Sequence, residues 1–448
     1  MLTVEQARER VEDIVARART AGADAADAVL IADQSLSVSV RMAALEDVER
    51  SESAELGLRV FSGKRSASVS TSDLSSESLD VLAERALAMA REAPEDPWAG
   101  LAPEARLLHG AIPQLDLDDG GEATPQALRD RALAAEDAAR AVPGVTNSEG
   151  GGASAARSVT AIATSHGFAG AYAVSSHMVS ASVLAGEGEG KERDHAWHSA
   201  RHAAALESAE AIGRQAGERA VARLGPAKIA SGTMPVVFDR RVAGGILGHL
   251  VGAIAGASIA RKTSFLLDAL GKEIFAKGIT IVDDPLRPRG LRSRPFDGEG
   301  LPVSELRLID DGVLTSWLLE SASARQLRLE PTGHAVRGVG GAPGAGPSNL
   351  YMEAGNESFA ALIGAIDHGL YVTELIGQGV NGVTGDYSRG AAGYLIEKGE
   401  LTRPVSEVTI ASNLKDMFRA LTPANDLEFR YGINAPTLRI DGMMVAGD

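Results

Sequence analysis

Apolar and polar positions repeat with two periods along this chain, and each change of period marks an element. Val4, Ala7, Val11, Ile14 and Val15 recur at helical spacing behind Thr3-Val4-Glu5-Gln6, which fits a Ser/Thr-x-x-Glu/Gln capping box. The period then falls to two: Leu36, Val38 and Val40 alternate with Ser35, Ser37, Ser39 and Arg41. Leu58, Val60 and Phe61, a Ser62-Gly63-Lys64 turn, and then Ala67 and Val69 predict a hairpin. Leu79, Leu82, Ala83, Ala86 and Ala90 return to helical spacing. Residues 1–92 therefore read as an N-terminal helix–antiparallel-strand domain. Pro94, Pro97, Pro103, Pro113 and Pro125, with the acidic run Asp116-Leu117-Asp118-Asp119, mark 93–125 as a linker.

A middle domain over 126–225 opens with a helix near 126–141. Alternating strands follow around 145–187, such as Ser158 to Thr164, and a long helix over about 200–224 closes it. The C-terminal domain, 226–448, starts with a buried strand, Pro235-Val236-Val237-Phe238, that leads into a helix. Leu306 to Ile309 and Val313 to Leu318 flank Asp310-Asp311-Gly312, a hairpin signal. Residues 371–376, 391–396 and 406–410 read as further strands. Helices are too sparse here for a doubly wound parallel sheet. The predicted class is α+β, with a middle α/β segment and a large antiparallel β-rich sheet or barrel at the C-terminus.

Composition narrows the function classes. A formal net charge of −16 argues against a broad nucleic-acid footprint, which needs clustered Lys and Arg. There is no cysteine, hence no disulfide, thiolate nucleophile or Cys metal ligand. The polar N-terminus lacks a signal-peptide core, and no apolar run approaches the roughly 20 residues that span a bilayer. The expectation is a cytoplasmic protein with no nucleic-acid or membrane partner.

Two segments look like metal chemistry. Arg240 to Leu250 reads as a helix on which Gly244, Gly245 and His249 stand where a His-Glu-x-x-x-His zinc motif would place two imidazoles and a carboxylate. One imidazole cannot hold zinc. His249 either contacts a ligand in a cleft or packs in the core. Two glycines inside a helix each cost up to about 1 kcal/mol relative to Ala, so a close backbone approach is expected there. His195, His198 and His202, at spacings of 3, 4 and 7, would fall near one face of a helix, a pattern that binds metal adventitiously on a solvated face. Gly377-Gln378-Gly379-Val380-Asn381-Gly382 fits Gly-x-Gly-x-x-Gly after a strand. Turn residues rather than a helix follow, so it is not read as a dinucleotide site. Asp386, Tyr387 and Arg389 on that glycine-built loop are candidate cleft or peptide contacts. The Gly/Pro stretch 338–348 lacks a P-loop ending and reads as a flexible loop.

The order of several blocks resembles the TldD/PmbA metallopeptidase family, and within it the PmbA (TldE) branch that lacks the zinc motif. These are the Arg240–Leu250 helix, Ser264 to Lys272, Asp283-Asp284-Pro285, Arg294 to Gly300, Gly379 to Gly393 and Pro436 to Gly442. The resemblance implies that a C-terminal Cys completes the site in zinc-bearing relatives; here that position falls at Thr422. It further implies a heterodimeric zinc peptidase acting on unfolded peptides such as bacteriocin precursors and antitoxins. This chain would then be the subunit that binds no cofactor, and zinc would belong to a TldD-like partner. The alternative is a peptide-binding or scaffolding homodimer without protease activity. An independent hydrolase using Asp or Ser chemistry has the least support.

Overall fold

In the computed structural model, which describes residues 1–447, α1 (Val4–Thr20) starts at the expected capping box. Gln6 N donates to Thr3 Oγ1 at 3.1 Å, and Thr3 N donates to the Gln6 side chain at 3.0 Å. β1 (Ala25–Arg41) and β2 (Ala44–Ser62) form one long ladder, from Ala25 opposite Phe61 to Arg41 opposite Ala44. β3 (Arg65–Thr71) completes the hairpin and α2 (Ser76–Glu92) follows. Period-two alternation is legible only in the distal part of β1, because its first half is covered on both sides. Ala26, Ala28, Leu30 and Ala32 share a core with α1 and α2, whereas Val29 and Ile31 pack toward the C-terminal half.

α3 (Pro125–Arg140), β4 (Val145–Thr164), β5 (Ala169–Ala185), β6 (Glu192–Ala200) and α4 (Ala209–Ala222) come next. The strand order β3-β2-β1-β4-β5-β6 makes one antiparallel sheet, so the sheet runs on from residues 1–92 into 126–225 through the β1–β4 pairing. The helix expected over about 200–224 is shorter. α4 starts only at Ala209, because β6 runs to Ala200 as a core strand against β5 and a short turn at Ala203–Ala205 separates the two.

The C-terminal part runs β7 (Gly232–Phe238), α5 (Arg240–Ile254), α6 (Gly256–Ala260), β8 (Ile281–Asp284), β9 (Leu306–Asp310), β10 (Val313–Leu314) and α7 (Ser321–Leu327). It continues with β11 (Ala335–Val336), β12 (Gly344–Ala345), β13 (Asn349–Met352), α8 (Phe359–Gly364), β14 (His368–Val380) and β15 (Asp386–Glu397). It ends with β16 (Glu400–Asn413), α9 (Leu414–Arg419), β17 (Leu421–Pro423), β18 (Ile433–Asn434) and β19 (Leu438–Ala446). β7, β14, β15, β16 and β19 pair in a closed ring, since β16 meets β19 at Thr409–Ala411 and β19 returns to β7. The fold is thus the α+β class the pattern predicts, with a barrel at its C-terminal end. The 338–348 stretch is docked, not free: β11 pairs with β12, and a Cβ on Gly57 would sit 2.1 Å from the Val339 carbonyl oxygen.

The two halves meet through a buried polar knot and an aromatic cluster. Arg59 Nη2 lies 2.5 Å from Asp27 Oδ2, and Arg337 reaches the same carboxylate from the C-terminal half. Phe296 packs edge-on against Phe168 and Tyr172. Between them, segment 93–125 buries Ala102, Leu107, Leu115 and Leu117. Among the described residues no helix is long and apolar enough to cross a membrane.

Candidate functional site

α5 leaves β7 at Asp239, whose carboxylate caps it by accepting from Arg241 N at 2.7 Å and also accepts from the Tyr371 hydroxyl. Ala243, Ile246, Leu247, Leu250, Ala253 and Ile254 form the buried face of the helix. Gly244 sits against β18, where an added Cβ would be 3.0 Å from the Ile433 carbonyl oxygen. Gly245 is exposed, with open space where its Cβ would stand. The two glycines therefore differ: one marks a close backbone approach, and the other leaves bare helix facing out.

His249 is half-buried, with its ring edge-on to Tyr387 of β15 at 5.7 Å between centroids. Burial first, and then the Arg389 cation, pull the imidazole below its ordinary pKa and favour the neutral ring. Tyr387 is 2% exposed and its hydroxyl has no hydrogen-bond partner. Burial pushes that hydroxyl up to about 12. Arg389, two residues along the same strand face, donates from Nε to the Ile376 carbonyl at 3.3 Å. Asp386 points to the other side of the strand. It accepts from Thr384 Oγ1 at 2.6 Å and Asn413 Nδ2 at 3.2 Å, which hold its carboxyl low and close the β14–β15 turn. Of the predicted loop trio, only Tyr387 and Arg389 join His249, and Asp386 does not. Thr422 lies on β17, half-buried and in register with Arg439 of β19.

His195, His198 and His202 do not share a helical face, because β6 separates them. His195 is exposed. His198 Nδ1 accepts from Glu207 N at 3.1 Å, and His202 Nε2 lies 3.1 Å from the Asp116 carbonyl. A strand sends residues three apart to opposite sides, so the 3, 4 and 7 spacing gathers nothing here. The Gly-x-Gly-x-x-Gly segment is the end of β14 and a turn into β15, as the missing helix signal implied.

Sequence reasoning missed a cleft of about 680 Å³ at the start of α5. Trp197 of β6, Gln215 and Arg219 of α4, Arg241 of α5, Glu374 of β14 and Tyr431 line it, among others. The Arg240-Arg241 pair ahead of an apolar helix was its one visible sign. β14 also offers an open edge there. β7 pairs with it only at Leu370–Val372, while β14 continues to Val380 with β15 alone as partner among the described residues.

The fold joins a long antiparallel sheet to a C-terminal barrel, and its α5 helix carries one imidazole and no carboxylate. The chain belongs to the PmbA/TldD metallopeptidase family. Its models match as PmbA/TldA metallopeptidase domain 1 over residues 26–90, the central domain over 118–224 and the C-terminal domain over 231–447. Metalloprotease PmbA of Escherichia coli O157:H7 is 40% identical, covering 99% of this chain and 98% of that one. A metalloprotease PmbA homolog of Haemophilus influenzae is 35% identical over 99% and 97%. The Haemophilus metalloprotease TldD homolog matches at 29% over 52% of each chain. A crystal structure from Bacteroides thetaiotaomicron shares the fold at TM-score 0.91 and 27% identity, covering 100% of both chains. TldE from Thermococcus kodakarensis shares the fold at TM-score 0.87 and 21% identity, over 98% of this chain and 100% of that one.

Zinc, which the family name implies, does not fit the residues at α5. Catalytic zinc takes about three protein ligands plus water. Here the first ligand position is packed against the Ile433 carbonyl, the carboxylate position is a bare glycine, and an arginine cation stands near the remaining imidazole. Among the described residues no three His, Cys, Asp or Glu gather in a way that could hold a metal.

Proposed function

We propose that this chain is the non-catalytic, TldE-like subunit of a heterodimeric TldD–TldE-type zinc metalloprotease that degrades or processes unfolded peptides. The observation that carries the reading is Gly244 against the Ile433 carbonyl, with His249 left alone beside Arg389. On this reading the zinc, the activated water and the cleavage belong to the TldD-like partner. This chain stabilises the partner and helps admit extended peptide, and the open β14 edge suits strand addition, in which a peptide backbone pairs with a sheet edge.

Co-expression with the His-Glu-x-x-x-His relative of the same genome tests the proposal. The expected result is a co-purifying pair with about one zinc per pair, peptidase activity on an unstructured peptide, and loss of that activity to chelator. The same open edge supports a second reading, a peptide-binding or scaffolding homodimer. A lone homodimer that binds peptide and ignores the relative would favour it.

A further inference from the structure

Four arginines line the cleft at the start of α5, and three of them are matched by carboxylates. Arg240 pairs with Glu428 at 2.7 Å, Arg241 with Asp194 at 3.1 Å, and Arg430 with Glu207 at 2.5 Å. Arg219 is different. Among the described residues it makes no ion pair, and its Nη1 donates only to the His195 carbonyl at 3.2 Å. It is half-buried on α4, with Arg241 as a second cation near it and Asp194 and Asp239 as anions that act on it without pairing directly. A half-buried guanidinium with no direct carboxylate contact has donors left for an anionic ligand. Two more groups in the same wall are buried and lack hydrogen-bond partners, Gln215 Oε1 and Arg241 Nε.

No acid in the wall makes a direct ion pair with Arg219, although Asp239 acts on it at longer range. Glu374 pairs with Arg223 at 2.5 Å, Glu428 is held by Arg240, and Asp239 caps α5. Beside Arg219 the cleft offers an apolar wall, the Trp197 and Tyr431 rings, 5.2 Å apart. Thr373, Glu374 and Leu375, where the open edge of β14 begins, line the same cleft.

We propose that this cleft captures the C-terminal carboxylate of an extended peptide, with Arg219 as the anchor and the Trp197–Tyr431 pair taking the last apolar side chain. The proposal rests on the peptide-binding role above and adds the end of the chain that is recognised. A planar guanidinium matches a carboxylate with two parallel hydrogen bonds, while Gln215 Oε1 accepts from the terminal amide N–H. Peptide leading away from the anchor then runs along β14.

Two probes test this on the full chain. N-acetyl-phenylalanine and its carboxamide are compared by ligand-observed NMR. A fluorescein-labelled Gly/Ser decapeptide ending in Leu-Phe is compared, as acid and as amide, by anisotropy. Both acids are expected to bind at least about 10-fold tighter than their amides, as a charge-assisted hydrogen bond requires. Arg219→Gln removes the preference. So does Gln215→Glu, which supplies Arg219 with a carboxylate one helical turn away. Melting temperatures of both variants close to that of the parent show that the fold is kept. Decapeptide binding with no acid–amide difference, or with a difference unchanged by both variants, overturns the anchor and leaves the peptide role standing. Acetyl-phenylalanine binding through Arg219 with no gain for the decapeptide leaves a small-carboxylate pocket and overturns the peptide role. No binding of either acid overturns the anchor.

Discussion

Glycine stands at adjacent positions of α5 for two reasons that one pair of substitutions separates. At Gly245 a methyl group enters open space and removes a helix-interior glycine, a gain of up to about 1 kcal/mol. At Gly244 the same methyl meets the Ile433 carbonyl at 3.0 Å and forces β18 or the helix to give. Gly245→Ala is therefore expected to raise stability in urea unfolding, and Gly244→Ala to fall short of it by about 1 kcal/mol or more. Equal gains would show that the contact with Ile433 constrains nothing. His249 has a pH signature of its own. Its folded pKa lies below the ordinary value of about 6.5. Neutral imidazole is favoured in the fold, so the stability this contributes is present above pH about 6.5 and is lost as pH falls through the folded value. His249→Gln should flatten that acid-side loss, with melting temperature between pH 7 and 5 as the readout. An unchanged slope would mean that the ring titrates freely.

At the scale of elements, the turn from β7 into α5 depends on Asp239. Asp239→Ala removes the cap and leaves the Tyr371 hydroxyl without its acceptor. The two losses together are expected to cost about 2–4 kcal/mol in urea unfolding, and Asp239→Asn distinctly less. Elements with one clear period were legible in the sequence: the Thr3–Gln6 box located α1, Leu79 to Ala90 gave α2, and Asp310-Asp311-Gly312 gave the β9–β10 hairpin. Where burial is two-sided or small residues dominate, the pattern failed. The first half of β1 shows no alternation because both faces are covered. His195, His198 and His202 have helical spacing, but the first two stand on strand β6 and the third lies beyond it. At the site, the motif helix and its close approach at Gly244 were visible as two glycines in an apolar helix. The cleft was not, because Arg219, Glu374 and Tyr431 lie far apart in sequence and meet only when α4, β14 and the segment ahead of β18 converge.

For the whole molecule, the contact between the halves is a network of buried charge. Burial alone would raise the Asp27 carboxyl, but Arg337 and Arg59 outweigh it and hold the group ionised. Asp27→Ala leaves two buried guanidiniums without their shared partner and is expected to cost about 3–5 kcal/mol. Nearby, Glu299 is pushed up to about 7, first by burial and then by Asp297. The raised value means that its contribution is present below its ordinary pKa of about 4.5 and is lost as pH rises through about 7. Glu299→Gln, which keeps an acceptor for Ser321, should remove that decline and leave the protein more stable than the parent at pH 8, read by urea unfolding. The central claim is that a peptidase scaffold has kept its shape here and ceded its metal to a partner. Metal analysis of the isolated chain beside the co-purified pair tests it most directly. The account predicts no stoichiometric zinc and no peptidase activity in the isolated chain, with about one zinc and chelator-sensitive activity in the pair. One equivalent of zinc in the isolated chain, with peptidase activity that chelator removes, would contradict it.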